Sequence, residues 1–373
     1  MIKRKRRIVE RAYLWVVLLL PLINFTLSAQ RVPTPKEHWG FNIGDDYCLT
    51  NYRDSEQYFK KLAENSPRVK MVDIGETEEG RRQYMLIVSS PENLANLEEY
   101  RTISQTMARA EIDQEEALNL SREGKAVVWI DGGIHSTETV SIHQLIETAY
   151  QLASREDRET LEILDKVVVL LVHANPDGHE LVGDLYMANP VPEKRTWTPL
   201  PKMYHKYVGH DNNRDFFMFA MKETENMVHI MFHDWIPQIV YNHHQSGSLK
   251  GIVLAGAPYR DPFNYVFDPL LVTSIDAVGA AMQNRLNREG KPGYTQRDGS
   301  PFSAWYNGGL RTSCYFHNII GILTEIIGHP SGHEVSLVKE RLVPKSITPN
   351  PVLPRIVAST KIGLQDSTTF SGK

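Results

Sequence analysis

The chain has 373 residues, of which 41% are hydrophobic and 23% charged, enough to build a sizeable core as one large domain or two small ones. Its formal net charge is -4, and nothing in it has the basic footprint of a nucleic-acid binder. Cys48 and Cys314 are the only cysteines, too few for a thiolate zinc cluster, and their separation leaves open whether they pair.

The first residues have a different character. Lys3, Arg4, Lys5, Arg6 and Arg7 form a positive stretch ahead of the apolar run Ala12–Ile23, and Leu27-Ser28-Ala29 ends in a small residue. This reads as a signal peptide over 1–29, cleaved after Ala29, with a retained anchor as the alternative. The run falls short of the roughly 20 residues that span a bilayer, and no later stretch is apolar enough to span. Export to the periplasm or beyond is expected, with no stable membrane span once the segment is removed.

Residues 30–45 are polar and contain proline, as a connector does. Asp54–Asn65 has the period of an amphipathic helix, with Tyr58, Phe59 and Leu62 on one face. Val69–Ile74 and Gln83–Val88 read as strands around the turn Glu78–Gly80, and Asn93–Met107 as a helix. Short apolar runs then alternate with helical patterns. Ala126–Ile130, Lys166–Val172, Gln238–Tyr241 and Ile319–Ile326 read as buried strands, and Val140–Ser154, Met221–Trp235 and Asp268–Arg288 as helices. The alternation predicts an α/β fold with a mixed, largely parallel central sheet flanked by helices. A catalytic domain is expected over 46–340, and a proline-containing tail over 341–373.

Three features fall at expected strand ends, where open α/β sheets place ligands. The first is Gly132-Gly133-Ile134-His135-Ser136-Thr137-Glu138. A histidine and a glutamate three residues apart at a strand-to-helix turn offer an imidazole and a carboxylate to one ion, although His-x-x-Glu alone is a weak signal. The second is Asn242-His243-His244, after the strand at 238–241. Adjacent residues of an extended chain point to opposite sides, so one histidine faces the ion, and His244, nearer the loop, is the expected one. Two histidines and one glutamate leave a coordination place open, as catalytic zinc sites do. The third is Glu325, a carboxylate inside the apolar run around Leu323 and Ile326, costly to bury without a task. Beside an activated water it would serve as a general base.

These residues resemble those of the M14 zinc carboxypeptidases, the group typified by pancreatic carboxypeptidase A, and the likeness is to an exported bacterial type. The likeness runs over roughly 50–335 and rests on five ordered landmarks. They are His135-Ser136-Thr137-Glu138, Asn175-Pro176-Asp177-Gly178, Asn212-Asn213-Arg214-Asp215-Phe216, His244 and Glu325. The resemblance implies one Zn²⁺ held by His135, Glu138 and His244, and a peptide or protein C-terminus as the substrate. It implies a carboxylate grip by Asn213 and Arg214, and Glu325 as the catalytic glutamate. It also implies an arginine that polarises the scissile carbonyl, for which Arg195 is the candidate. A tyrosine that caps the substrate is implied too. Tyr294, Tyr306 and Tyr315 all precede Glu325, and Tyr306, beside Gly308 and Gly309, is preferred. The residue that sets side-chain preference is not readable. The resulting expectation is hydrolysis of C-terminal peptide bonds. The alternatives are a related hydrolase of cell-wall peptides or a deacylase, and, from another class, an inert secreted binding protein.

Overall fold

The computed structural model describes residues 31–246, 253–254, 256–259, 261–291, 294 and 302–327. The expected signal segment 1–29 and the tail 341–373 lie outside the described residues.

Seven strands form one sheet in the order β1-β2-β4-β3-β5-β7-β6. They are β1 (Val69–Glu76), β2 (Arg82–Val88), β3 (Ala126–Gly132), β4 (Val167–His173), β5 (Ile239–Ser246), β6 (Val253–Leu254) and β7 (Ile320–Ile327). The four central strands, β4, β3, β5 and β7, are parallel. The edges are antiparallel, with β1 on β2, β2 on β4, and β6 on β7. The mixed, largely parallel sheet expected from the sequence is therefore present.

Strand alternation divides the core into two layers. Met85, Ile87, Val168, Leu170, Val172, Val127 and Trp129 face one layer, which holds Met227, Met231 and Trp235. Leu86, Val88, Val169 and Leu171 face the other, against Tyr58, Phe59, Leu62, Ile142, Leu145 and Ile146. Burial on both faces explains why these strands read as unbroken apolar runs. A third cluster, with Tyr259, Phe267, Ile275 and Tyr315, covers Ile322 of β7.

Several elements differ in detail from the expectation. The helix expected over Asn93–Met107 is two, Pro91–Ala95 and Leu97–Arg109, divided at Asn96. The helix expected over Met221–Trp235 is α-helical over Lys222–His229 and widens to a π-turn over Ile230–Asp234. Within the expected connector, Pro35–Trp39 forms a short helix closed by a capping box from Thr34 and Glu37, and Trp39 packs 4.8 Å from the Tyr58 ring. The landmark Asn175-Pro176-Asp177-Gly178 is the start of a helix, Pro176–Met187. Asn175 caps it by accepting from the Gly178 amide, and proline occupies the first turn, where no amide is needed. Cys48 and Cys314 are both free thiols.

Candidate metal centre

The site lies at the carboxyl ends of the parallel strands. Gly132 ends β3, and Gly133 turns the chain at φ +81° into the helix Thr139–Ser154. A Cβ at Gly132 would stand 2.4 Å from the Ser141 carbonyl, and one at Gly133 would meet Ile142 and His173. Only glycine permits this backbone and this close approach. The turn aims two side chains the same way. Glu138 occupies the N-cap position of the helix without capping it. Its Oε1 lies 2.8 Å from His135 Nδ1 instead.

β5 supplies the third group. His244 Nδ1 lies 2.9 Å from the other oxygen of Glu138, and the two imidazole centroids are 4.9 Å apart. His135, Glu138 and His244 can thus each offer one ligand atom within 4.8 Å of the others, and among the described residues they are the one group of this kind. His243 points to the other face, with its ring edge-on to Tyr241 at 4.3 Å.

Each imidazole is held from behind. His135 Nε2 lies 2.9 Å from Asp211 Oδ1. His244 Nε2 contacts Asn242 Oδ1 and lies 3.0 Å from Asn213 Nδ2. Asn242 in turn donates to Asp131, which is fully buried and also accepts from Trp129 Nε1 at 2.8 Å. These contacts leave both Nδ1 atoms turned towards Glu138, and such outer bonds fix which ring nitrogen faces a metal.

The electrostatics favour a cation. Burial works against ionising Glu138, but the charges and hydrogen bonds of His244 and His135 outweigh it and hold the carboxyl at about 2. Burial opposes charge on His135 as well, yet Asp211 and Glu138 lift it to about 10. Two carboxylates that stabilise a proton here would stabilise a divalent ion for the same reason. Two imidazoles and one carboxylate are the donor set of a zinc site with an open place. The residues present therefore fit such an ion.

Glu325 stands beside this group. It is the register partner of His244 on the neighbouring parallel strand, so both side chains leave the sheet on one face. It is only 7% exposed, and its Oε2 has no hydrogen-bond partner. Burial, and then the charge of Glu138, push its pKa up to about 8, with His135 opposing.

On the far side, Asp211 caps a short turn, Asn212–Arg214, by accepting from the Asn213 amide. Asn213 Oδ1 accepts from the Leu310 amide at 2.9 Å, which links this turn to the helix Leu310–Tyr315. Arg214 is exposed, and its guanidinium carbon lies 5.8 Å from the centre of the Tyr306 ring.

A family model for zinc carboxypeptidases of peptidase family M14 matches residues 55–247, more than half of the chain. The chain belongs to the zinc carboxypeptidase family. Among solved structures, it superposes on carboxypeptidase A from Helicoverpa armigera at 15% identity and a TM-score of 0.50, covering 87% of this chain and 73% of that one. It superposes on thrombin activatable fibrinolysis inhibitor at 14% identity and a TM-score of 0.51, covering 91% and 77%. These likenesses concern the fold. No curated protein matches the sequence.

As a zinc carboxypeptidase fold, the structure brings most of the expected residues into one place: His135, Glu138 and His244 in contact, Glu325 and Asn213 beside them, and Arg214 with Tyr306 at the rim. Arg195 is held elsewhere. Its Nε donates to the Asn189 carbonyl at 3.0 Å and its Nη1 to the Tyr47 carbonyl at 2.6 Å, and neither bond reaches the cluster. Those contacts support a structural role for Arg195 in place of the expected polarisation of a carbonyl. Tyr294 bonds Asn287 and Tyr315 is buried, whereas Tyr306 is exposed beside Arg214. Asp211, Asn242 and Asp131 were not anticipated. Asn242 carried a signal, being two residues before His244 on one strand and so on the same face. Asp211 directly precedes the Asn-Asn-Arg run, but nothing in sequence ties it to His135.

Proposed function

We propose that this chain is a zinc metallocarboxypeptidase that removes C-terminal residues from peptides and proteins, with one ion held by His135, Glu138 and His244. The observation that carries the reading is the meeting of these three side chains beside an unpartnered buried carboxylate, Glu325, in register with His244. Bound zinc would supply Lewis acidity, activating water and polarising a carbonyl.

The chain's own residues do the rest. The exposed Arg214 guanidinium takes the terminal carboxylate through two parallel charge-assisted hydrogen bonds, with Asn213 beside it. Selection for a free C-terminus follows from that grip. Tyr306, next to Arg214, closes over the bound residue. Glu325 accepts a proton from the attacking water at its free Oε2 and returns it to the leaving amine. The signal-like Lys3–Arg7 and Ala12–Ile23 support action after export.

The test is mass spectrometry of a peptide with a free C-terminus and its C-terminally amidated twin, each incubated with and without a chelator. Loss of the last residue from the free peptide alone, stopped by chelator, is expected. Equal cleavage of both peptides would refute the exopeptidase reading.

A further inference from the structure

The Tyr204 ring lies 6.5 Å from the ring of His135, with 59° between their planes. The side chain is half-buried, and among the described residues its hydroxyl has no hydrogen-bond partner. Burial, and then the negative charges of Asp211 and Glu138, push its pKa up, so the hydroxyl is within reach of both carboxylates' fields and keeps its proton. A protonated phenol that stands beside a metal centre and bonds no protein atom is a donor open to a bound molecule.

The backbone is fixed where the side chain is free. One amide, Asn175 Nδ2, donates to the Tyr204 carbonyl at 2.9 Å and to the Ile134 carbonyl at 3.3 Å, which joins Tyr204 to the loop that carries His135. Gly178 permits the approach, since a Cβ there would stand 2.5 Å from the Tyr204 carbonyl. On either side of Tyr204, Lys202 pairs with Glu79, and Lys206 with Glu78 at 3.0 Å, so the segment is fastened to the turn between β1 and β2. Met203 and His205 line a cavity shared with Asp177 and Glu223, and Tyr204 is turned away from it, towards His135. Asn175 and Gly178 thus do more than begin a helix: they present one phenol to the cluster.

We propose that Tyr204 is a catalytic residue, its hydroxyl donating a hydrogen bond to the scissile carbonyl oxygen and to the oxyanion that replaces it. Arg195, the arginine expected in that role, is tied to the Asn189 and Tyr47 carbonyls, which leaves the place to another donor. As the water oxygen bonds to the carbonyl carbon, the π pair moves onto the carbonyl oxygen, and Glu325 takes the water's proton. The pair then returns, the carbon–nitrogen bond breaks with its electrons on nitrogen, and Glu325 gives the proton to that nitrogen. Tyr204 keeps its own proton throughout and strengthens its bond when the oxygen is charged. The inference rests on the carboxypeptidase reading above and adds a residue to its chemistry.

The experiment compares the zinc-loaded wild type with Tyr204→Phe on a peptide with a free C-terminus and on its phosphonate isostere, an inhibitor that carries the charged oxygen of the transition state. Because the hydroxyl bonds nothing in the fold, the variant is expected to keep its zinc and its urea midpoint. Its kcat should fall about 10²–10³-fold at nearly unchanged KM, the loss for one oxyanion donor. Affinity for the phosphonate should fall by a similar factor, as it does for a contact made in the transition state. Turnover within about tenfold of the wild type, a loss confined to KM, or unchanged phosphonate affinity would overturn the role of Tyr204 and leave the carboxypeptidase reading intact. Loss of zinc or of the fold in the variant would do the same, because the hydroxyl would then serve the ion or the structure. No cleavage by the wild type would overturn both.

Discussion

Asp211 Oδ1 stands 2.9 Å from Nε2 of His135, on the side of the ring away from Glu138. The carboxylate accepts the Nε2 proton, so the lone pair of Nδ1 is left for a metal, and the ring cannot rotate without losing the bond. Asp211→Asn keeps the size and removes the charge. It is expected to weaken zinc affinity about 10- to 100-fold. Competition against a chelator of known affinity measures this. Unchanged affinity would mean that Asp211 serves only the Asn212–Arg214 turn.

Glu325 has the opposite signature. It stands beside the cluster but contacts none of the three groups through a hydrogen bond, and its Oε2 is unpartnered. Glu325→Gln should leave zinc content and KM nearly unchanged while kcat falls by about 10²–10⁴, the range for removal of a general base. Loss of metal in this variant would move Glu325 from the chemistry to the binding site.

Arg195 separates family likeness from packing. Its bonds to the Asn189 and Tyr47 carbonyls predict that Arg195→Ala costs about 1–2 kcal/mol of stability by urea unfolding, because the two carbonyls lose their donor. Turnover by the folded variant should fall by less than about tenfold, well short of the loss when a group that stabilises the oxyanion is removed. A much larger loss of kcat at unchanged stability would restore the role of carbonyl polariser to Arg195.

Acid should destabilise the fold through buried histidines away from the cluster. His143 has its pKa lowered to about 4 and His173 to about 3, both by burial, and His179, stacked on His173 at 4.6 Å, is also driven down by burial. When the chain unfolds these groups return to about 6.5, so below that pH the unfolded state binds more protons. The stability they leave intact above pH 6.5 is lost as pH falls towards 4, by roughly 1–3 kcal/mol each for His143 and His173. Urea unfolding of the chelator-treated protein between pH 7.5 and 4.5 should show this fall, and His143→Gln should make it shallower. A flat profile would show that these rings find proton acceptors when charged.

The parts of the site that could be read in the sequence are those where chemistry and secondary structure coincide within a few residues. His135 and Glu138 follow a glycine pair at the end of an apolar run, His244 ends another, and Glu325 interrupts a third. Alternation along β5 separates His243 from His244, as the extended-chain argument required. What could not be read depends on tertiary approach. Asp211 reaches His135 only because the turn Asn212–Arg214 folds back onto the loop after β3, where Asn212 donates to the Ile134 carbonyl. Arg195 sits at a suitable sequence separation, and its partners lie at Asn189 and Tyr47. The division at Asn96 and the π-turn at Ile230–Asp234 were likewise invisible, because both interrupt helical patterns that continue through them.

The central claim is that His135, Glu138 and His244 together hold the ion on which turnover depends. Plasma mass spectrometry of the purified wild type, Glu138→Ala and His244→Ala, with peptide turnover measured on the same samples, tests it most directly. About one zinc per chain in the wild type is expected, with both metal and turnover lost in either variant. Full zinc content and near-normal turnover in Glu138→Ala would contradict the account.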